Sequence, residues 1–260
     1  MTPNPNPNRS GPLGVLVALV LVAAMPALAT AAERQWSQSY PLGDGGRVSL
    51  SNINGNVVIE GTDGAEVVVD ATLTGDAETV DAIEIAVDAS ADRVSIETVY
   101  PRTRRGSWGR KGGGSVEYRL QVPRGVELDE ISLVNGSLEL EGITGEVEAS
   151  LVNGSLTARG LAGNAELSTV NGALEVYVDR LGGGQDLELD SVNGSIDLYL
   201  PSSADADLDA STVHGRIRND FGIEVKKGEW VGASMRGQVG SGAASVSLET
   251  VNGSIEVHRD

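Results

Sequence analysis

One short phrase recurs along this chain: an aliphatic residue, then Asn-Gly, a small or polar residue, and a second aliphatic. It reads Ile53-Asn54-Gly55-Asn56-Val57, Val134-Asn135-Gly136-Ser137-Leu138, Val152-Asn153-Gly154-Ser155-Leu156, Val170-Asn171-Gly172-Ala173-Leu174, Val192-Asn193-Gly194-Ser195-Ile196, Val213-His214-Gly215-Arg216-Ile217 and Val251-Asn252-Gly253-Ser254-Ile255. His214 takes the Asn place in the sixth copy. From Asn135 the steps are 18, 18, 22, 21 and 38 residues, and the last step reads as two units with one turn signal missing. A near-constant period of this length marks stacked units that bury their apolar faces only against their neighbours.

Between the phrases the chain alternates with period two, as a half-buried strand does. Leu138 and Leu140 face inward while Glu139 and Glu141 face out. After a turn, Val147, Ala149 and Leu151 face in, with Glu146, Glu148 and Ser150 outside. No sustained 3.6-residue period appears, and residues 76–81 could form one helical turn at most. Each unit is therefore strand, turn, strand, turn in about 20 residues.

Two architectures satisfy that pattern. In an antiparallel meander each Asn-Gly is a tight hairpin turn. In a β-solenoid each unit is one coil, equivalent strands stack in parallel, glycines supply positive φ at aligned corners, and asparagine side chains bond up the column. The common phase of the apolar residues favours the second. The expected fold is all-β, with a parallel β-solenoid of coils of 18–22 residues favoured over the meander. Its structural turn residues would be Asn54, Gly55, Asn135, Gly136, Asn153, Gly154, Asn171, Gly172, Asn193, Gly194, His214, Gly215, Asn252 and Gly253. The domain spans 33–260, with 116–260 clearly repetitive and 33–115 a less regular cap on the same sheets.

The first 32 residues read as a signal peptide. Arg9 precedes the apolar run Leu13–Ala24, and Ala27-Leu28-Ala29 fits a cleavage site after Ala29, with Ala31 or Ala32 as close seconds. The run is shorter than the ~20 residues of a spanning helix, so no transmembrane helix is expected after cleavage. No cysteine is present, which excludes a lipoprotein anchor, thiol nucleophiles and disulfides alike. The expected location is the periplasm or the cell surface. A net charge of −18 repels nucleic acid and anionic lipid and favours cationic partners or solubility alone.

The inventory does not support catalysis. The two histidines, His214 and His258, lie at a corner and near the chain's end, no serine sits in a Gly-x-Ser-x-Gly elbow, and nothing marks one carboxylate pair among the many. Aromatic residues are scarce. Clustered His and Cys ligands for zinc or copper are absent from the sequence pattern, and no cofactor is expected. In stacked coils Glu148 would lie beside Glu166, and Glu139 and Glu175 would flank Thr157. Such columns read as a solvated acidic face, with calcium left open. The Gly-rich runs 112–114 and 182–184 lack the Lys-Ser/Thr ending of a phosphate loop. One segment departs from the acidic background. Arg102, Arg104, Arg105, Trp108, Arg110 and Lys111 crowd into residues 102–114 as a contact loop for an anionic surface, or as a loop that merely offsets the acidic body.

The run Val122-Pro123-Arg124-Gly125-Val126-Glu127-Leu128, feeding into the reiterated Val-Asn-Gly-Ser-Leu/Ile units, resembles the bacterial DUF4097 family of adhesin-like β-strand-repeat proteins. The resemblance extends from about Val48 to Val257 and is strongest from Val116 to Ile217. It implies a fold similar to a right-handed single-stranded β-helix and offers no catalytic motif to carry over. The expected function is non-enzymatic: an exported, adhesin-like binding protein whose partner is an envelope or extracellular macromolecule, with membrane-surface contact through 102–114. Two other readings stay open, an acidic module for cationic peptides or proteins and a polysaccharide-active enzyme on a β-helix.

Overall fold

The computed structural model describes residues 32–101, 114–181, 183–228 and 231–260. Residues 1–31, all but the last residue of the expected signal peptide, and the basic residues Arg102, Arg104, Arg105, Trp108, Arg110 and Lys111 lie outside the described residues.

Strands follow the alternation. The irregular N-terminal part gives β1 (Ala32–Pro41), β2 (Arg47–Asn54), β3 (Val57–Thr62), β4 (Glu66–Gly75), β5 (Glu84–Ala89), β6 (Arg93–Val99) and β7 (Ser115–Pro123). The repeats give β8 (Glu127–Asn135), β9 (Leu138–Glu141), β10 (Val147–Asn153), β11 (Leu156–Leu161), β12 (Ala165–Asn171), β13 (Leu174–Val178), β14 (Asp186–Asn193), β15 (Ile196–Leu200), β16 (Ala206–His214) and β17 (Ile217–Asn219). The chain closes with β18 (Val225–Lys227), β19 (Ala233–Val239), β20 (Ala244–Asn252) and β21 (Ile255–Arg259). A six-residue helix, α1 (Ala77–Ala82), starts where the Asp76 side chain accepts the Thr79 backbone N–H at 2.9 Å.

Each repeat places one strand in each of two sheets, and the Asn-Gly corner carries the chain from one to the other. The ten-stranded sheet runs β1-β4-β7-β3-β9-β11-β13-β15-β21-β17; the eleven-stranded sheet runs β18-β19-β16-β20-β14-β12-β10-β8-β2-β6-β5. Equivalent strands pair in parallel with Asn opposite Asn, as in Asn135↔Asn153, Asn153↔Asn171 and Asn171↔Asn193. No hairpin joins strands at these corners.

Two parts of the sequence expectation change. The stack is not uniformly parallel. β1–β4, β4–β7, β5–β6, β16–β19 and β18–β19 are antiparallel, so both sheets are mixed, with the antiparallel pairs at the ends. Nor do coils follow one another in chain order. The β6/β7 coil lies outside β2/β3, and the last coil, β20/β21, inserts between β14/β15 and β16/β17. The 38-residue step is therefore no skipped repeat. It holds the β18–β19 excursion, which pairs back along β16 and returns the chain to an interior slot.

The core between the sheets is one cluster of buried aliphatics. Leu138, Leu156, Leu174, Ile196 and Ile255 form one inward column, and Ile131, Ala149, Leu167, Leu189 and Leu248 another. Large and small side chains share a column, so a two-sheet interior fills almost without aromatics. Full burial of each such Leu or Ile contributes about 1.5–3 kcal/mol against exposure.

The corners form a ladder. Each asparagine Nδ2 donates to the Oδ1 of the next rung: Asn135 to Asn54 (3.0 Å), Asn153 to Asn135 (3.0 Å), Asn171 to Asn153 (2.9 Å), Asn193 to Asn171 (3.0 Å) and Asn252 to Asn193 (2.8 Å). His214 pairs in register with Asn252 at the end of the column. The ladder follows spatial order and so passes through the inserted coil.

Corner glycine is required for a different reason than expected. Gly55 and Gly154 have positive φ (121° and 157°), but Gly136, Gly172, Gly194, Gly215 and Gly253 do not. What they share is close approach. A Cβ on Gly172 would lie 2.5 Å from the Gly154 carbonyl carbon, and on Gly154 2.6 Å from that of Gly136. The neighbouring rung's backbone occupies the side-chain space.

Candidate functional site

Because every coil repeats the same inside–outside alternation, outward side chains fall into columns along the stack. Rungs lie about 4.8 Å apart, so each column is a continuous strip of neighbouring side chains.

On the eleven-stranded sheet the strip nearest the corner is apolar. Ile53, Val134, Val152, Val170, Val192, Val251 and Val213 precede the corner asparagine or histidine, and all are 39–45% exposed. Beside it runs a hydroxyl strip of Ser51, Ser132, Ser150 and Ser168, continued in register by Asp190, Glu249 and Ser211. Valine and hydroxyl strips together line a shallow groove of about 630 Å³. Beneath it, buried hydroxyls satisfy the close-packed corner. Thr169 donates to Gly154 O (3.3 Å), Thr250 to Gly194 O (3.1 Å) and Thr212 to Gly253 O (2.9 Å).

Next to the hydroxyl strip Glu148, Glu166 and Glu188 stand in adjacent rungs. Burial, and then the like charges of Glu188, Glu249 and Glu166, push the Asp190 carboxyl up to about 6.

The outer face of the ten-stranded sheet differs. One column runs Glu139, Thr157, Glu175, Asp197, Glu256 and Arg218, and the next Glu141, Arg159, Tyr177, Tyr199 and His258. The aromatic members stack. Tyr177 and Tyr199 have ring centroids 4.2 Å apart at 6°, Tyr199 and His258 4.5 Å at 17°, and the Arg159 guanidinium covers Tyr177 at 4.9 Å. The Glu175 carboxylate, accepting the Tyr177 hydroxyl at 2.5 Å, together with burial pushes that phenol up to about 12.

Sequence reasoning missed this aromatic column. The signal was present, since Tyr177, Tyr199 and His258 each stand five residues after a corner glycine (Gly172, Gly194, Gly253), as do Glu141 and Arg159. A scarcity of aromatic residues in the chain as a whole concealed their concentration in one strip.

The sequence-predicted turn residues Asn54, Gly55, Asn135, Gly136, Asn153, Gly154, Asn171, Gly172, Asn193, Gly194, His214, Gly215, Asn252 and Gly253 come together along one edge of the stack. The expected acidic neighbours Glu148 and Glu166 are in register, and Thr157 lies between Glu139 and Glu175. No helix among the described residues is long and apolar enough to cross a membrane.

Comparison with known proteins follows the same lines. The sequence profile described as Toastrack DUF4097 matches residues 46–258. A search of curated proteins gave no match. Among solved structures, the chain is similar to a "putative cell adhesion protein" from Clostridium sporogenes at 13% identity and TM-score 0.50, over 87% of this chain and 100% of that one. It also aligns with a "putative adhesin" from Bacteroides fragilis at 12% identity and TM-score 0.42, over 86% of this chain and 97% of that one. A third, a "putative lipid binding protein" from Parabacteroides distasonis, aligns at 11% identity and TM-score 0.35, over 85% and 96% of the two chains.

Proposed function

The chain belongs to the Toastrack DUF4097 family, and from that premise we propose that it is a non-enzymatic, exported binding protein of the bacterial envelope. Its solenoid-like stack presents the valine and hydroxyl strips as one extended contact face. The observation that carries this reading is the unbroken row of half-exposed aliphatics from Ile53 to Val213. Scattered surface valines need no explanation, whereas a contiguous apolar strip rimmed by polar residues is the mark of an interaction surface. The Clostridium relative's cell-adhesion name points the same way. Rigid backbone ladders beneath the strip keep the ordering cost of binding low.

The test replaces Val152, Val170 and Val192 together by Ser and measures binding of the chain to isolated bacterial envelopes and immobilised matrix glycoprotein across a salt series. A severalfold loss in the variant, with wild-type binding that survives high salt, is expected. Unchanged binding in the variant would reject the strip as the contact face.

A second reading has its own observation. The packed carboxylates around Asp190 would suit a cationic peptide. Binding to a basic peptide that collapses with salt while ignoring the valine substitutions would select that acidic module instead. Anionic vesicles serve as a third probe. Vesicle binding that disappears when Arg104, Arg105, Arg110 and Lys111 become Ser would assign a membrane-surface contact to the 102–114 segment, and vesicle binding that is absent or indifferent to those changes would remove it.

A further inference from the structure

The inserted last coil brings together three ligating side chains that the sequence holds far apart. Asp197 lies on β15, and Glu256 and His258 lie on β21. Asp197 pairs in register with Glu256, and Tyr199 with His258. All three donors therefore project from the same outer face of the ten-stranded sheet. His258 Nε2 stands 3.9 Å from Asp197 Oδ1 and 3.9 Å from Glu256 Oε2, and the three donor atoms lie within 4.8 Å of one another.

These separations are too long for hydrogen bonds, which fall near 2.7–3.2 Å. They come close to the spacing set by a shared ion. Two ligands about 2.1 Å from a tetrahedral metal lie roughly 3.4 Å apart, so each carboxylate oxygen would close on His258 by about half an ångström and the two carboxylates on each other by no more than about 1.4 Å. The side chains of His258, Asp197 and Glu256 are 30%, 30% and 31% exposed, partly withdrawn from water yet open on one side.

Each ligand is also held from behind. Ser195 Oγ donates to the far oxygen of Asp197 at 3.1 Å, and Arg218 Nη1 to the far oxygen of Glu256 at 3.1 Å. The oxygens turned toward His258 are the ones left over. The Tyr199 ring fixes the imidazole plane, and Asp220 Oδ2 stands 3.9 Å from Nδ1, on the side opposite the two carboxylates. A shift of about 1 Å would bring the Asp220 carboxylate within hydrogen-bond range of Nδ1–H, the usual support of a metal-ligating imidazole.

We propose that Asp197, Glu256 and His258 form a divalent-metal site of the zinc class. One nitrogen and two carboxylate oxygens with open positions suit zinc, whereas calcium and magnesium take all-oxygen shells. The ion would also relieve the repulsion between Asp197 and Glu256 in neighbouring rungs. Because one ligand comes from β15 and two from the inserted β21, the metal would act as a latch on the last coil.

Calorimetric titration of the chain with zinc chloride, with calcium chloride as the comparison probe, tests this. One zinc per chain is expected, with calcium bound at least about tenfold more weakly, and His258→Ala and Asp197→Asn should each weaken zinc at least about tenfold. Zinc should raise the thermal midpoint of the wild type and leave His258→Ala unmoved. Glu256→Gln keeps an oxygen for Arg218, so it tests the ligand with little risk to the fold. Glu166→Gln on the other sheet should bind zinc as the wild type does. Wild-type zinc affinity in a folded His258→Ala or Glu256→Gln variant would overturn the site, as would a wild type that binds no zinc or prefers calcium.

Discussion

Replacing Gly172 by Ala should be far more damaging than a glycine-to-alanine change in an extended backbone ordinarily is. The added Cβ would lie 2.5 Å from the Gly154 carbonyl carbon and 3.1 Å from Ser155 N. Ordinary carbon–carbon contact begins near 3.5 Å, so the two rungs must part by about 1 Å. The bonds that set their spacing are Gly154 N–H to Asn171 O at 3.0 Å, Leu156 N–H to Ala173 O at 2.9 Å, and Asn171 Nδ2 to Asn153 Oδ1 at 2.9 Å. Parting them by that much weakens all three, at about 1 kcal/mol each, and local overpacking adds about 1–3 kcal/mol. The expected loss is about 4–6 kcal/mol, a large share of the stability of an ordinary domain. Gly183→Ala is the control, because φ there is +62° but nothing lies within 4 Å of the new Cβ. It should lose only the left-handed backbone term of about 1–2 kcal/mol. Urea melts that read midpoint and slope together compare the two. A cost for Gly172→Ala no greater than that for Gly183→Ala would show that conformation and not contact governs the corners.

Two further outcomes follow from the topology and the acidic strip. Deleting residues 244–260 removes an interior coil, so β14/β15 and β16/β17 lose their shared partner; hydrogen exchange should show protection lost across β14–β17, whereas loss confined to β16–β19 would contradict the insertion. Asp190→Ser should stabilise the chain at pH 8. The native carboxyl is raised from 3.8 to about 6, so the folded state holds its proton more tightly and the ionised form is penalised above that pH. The advantage, at most about 1 kcal/mol after discounting for partial exposure, should fade as pH falls through 6 toward 4. Equal melting curves for wild type and variant at both pH values would show that Asp190 ionises freely.

How much of this was legible in the sequence depends on what each signal encodes. Period-two alternation states which side chains face inward, and the columns Leu138–Leu156–Leu174 and Glu148–Glu166 stand where that alternation puts them. The Asn-Gly phrase states where the chain turns, and its phase states that corners align. These are local instructions, satisfied within one unit and its register. The sequence does not state which unit stacks on which. Every corner but the one at His214 presents the same asparagine, glycine and flanking aliphatics, so the corners alone do not rank one stacking order over another and the difference lies outside the repeat phrase. It lies in the β18–β19 hairpin along β16, in the antiparallel β1–β4–β7 edge, and in the Asp205 carboxylate, which accepts the backbone N–H groups of Ser241 and Ala243 just before β20. Those non-local pairings decided that the final coil lies between β14/β15 and β16/β17. They thereby placed His258 beside Asp197 and stacked it on Tyr199, a juxtaposition that no spacing along the chain contains. The same holds for the glycines. Composition could say that the corners need Gly, but only the backbone of a neighbouring rung, lying where the Cβ would be, says why.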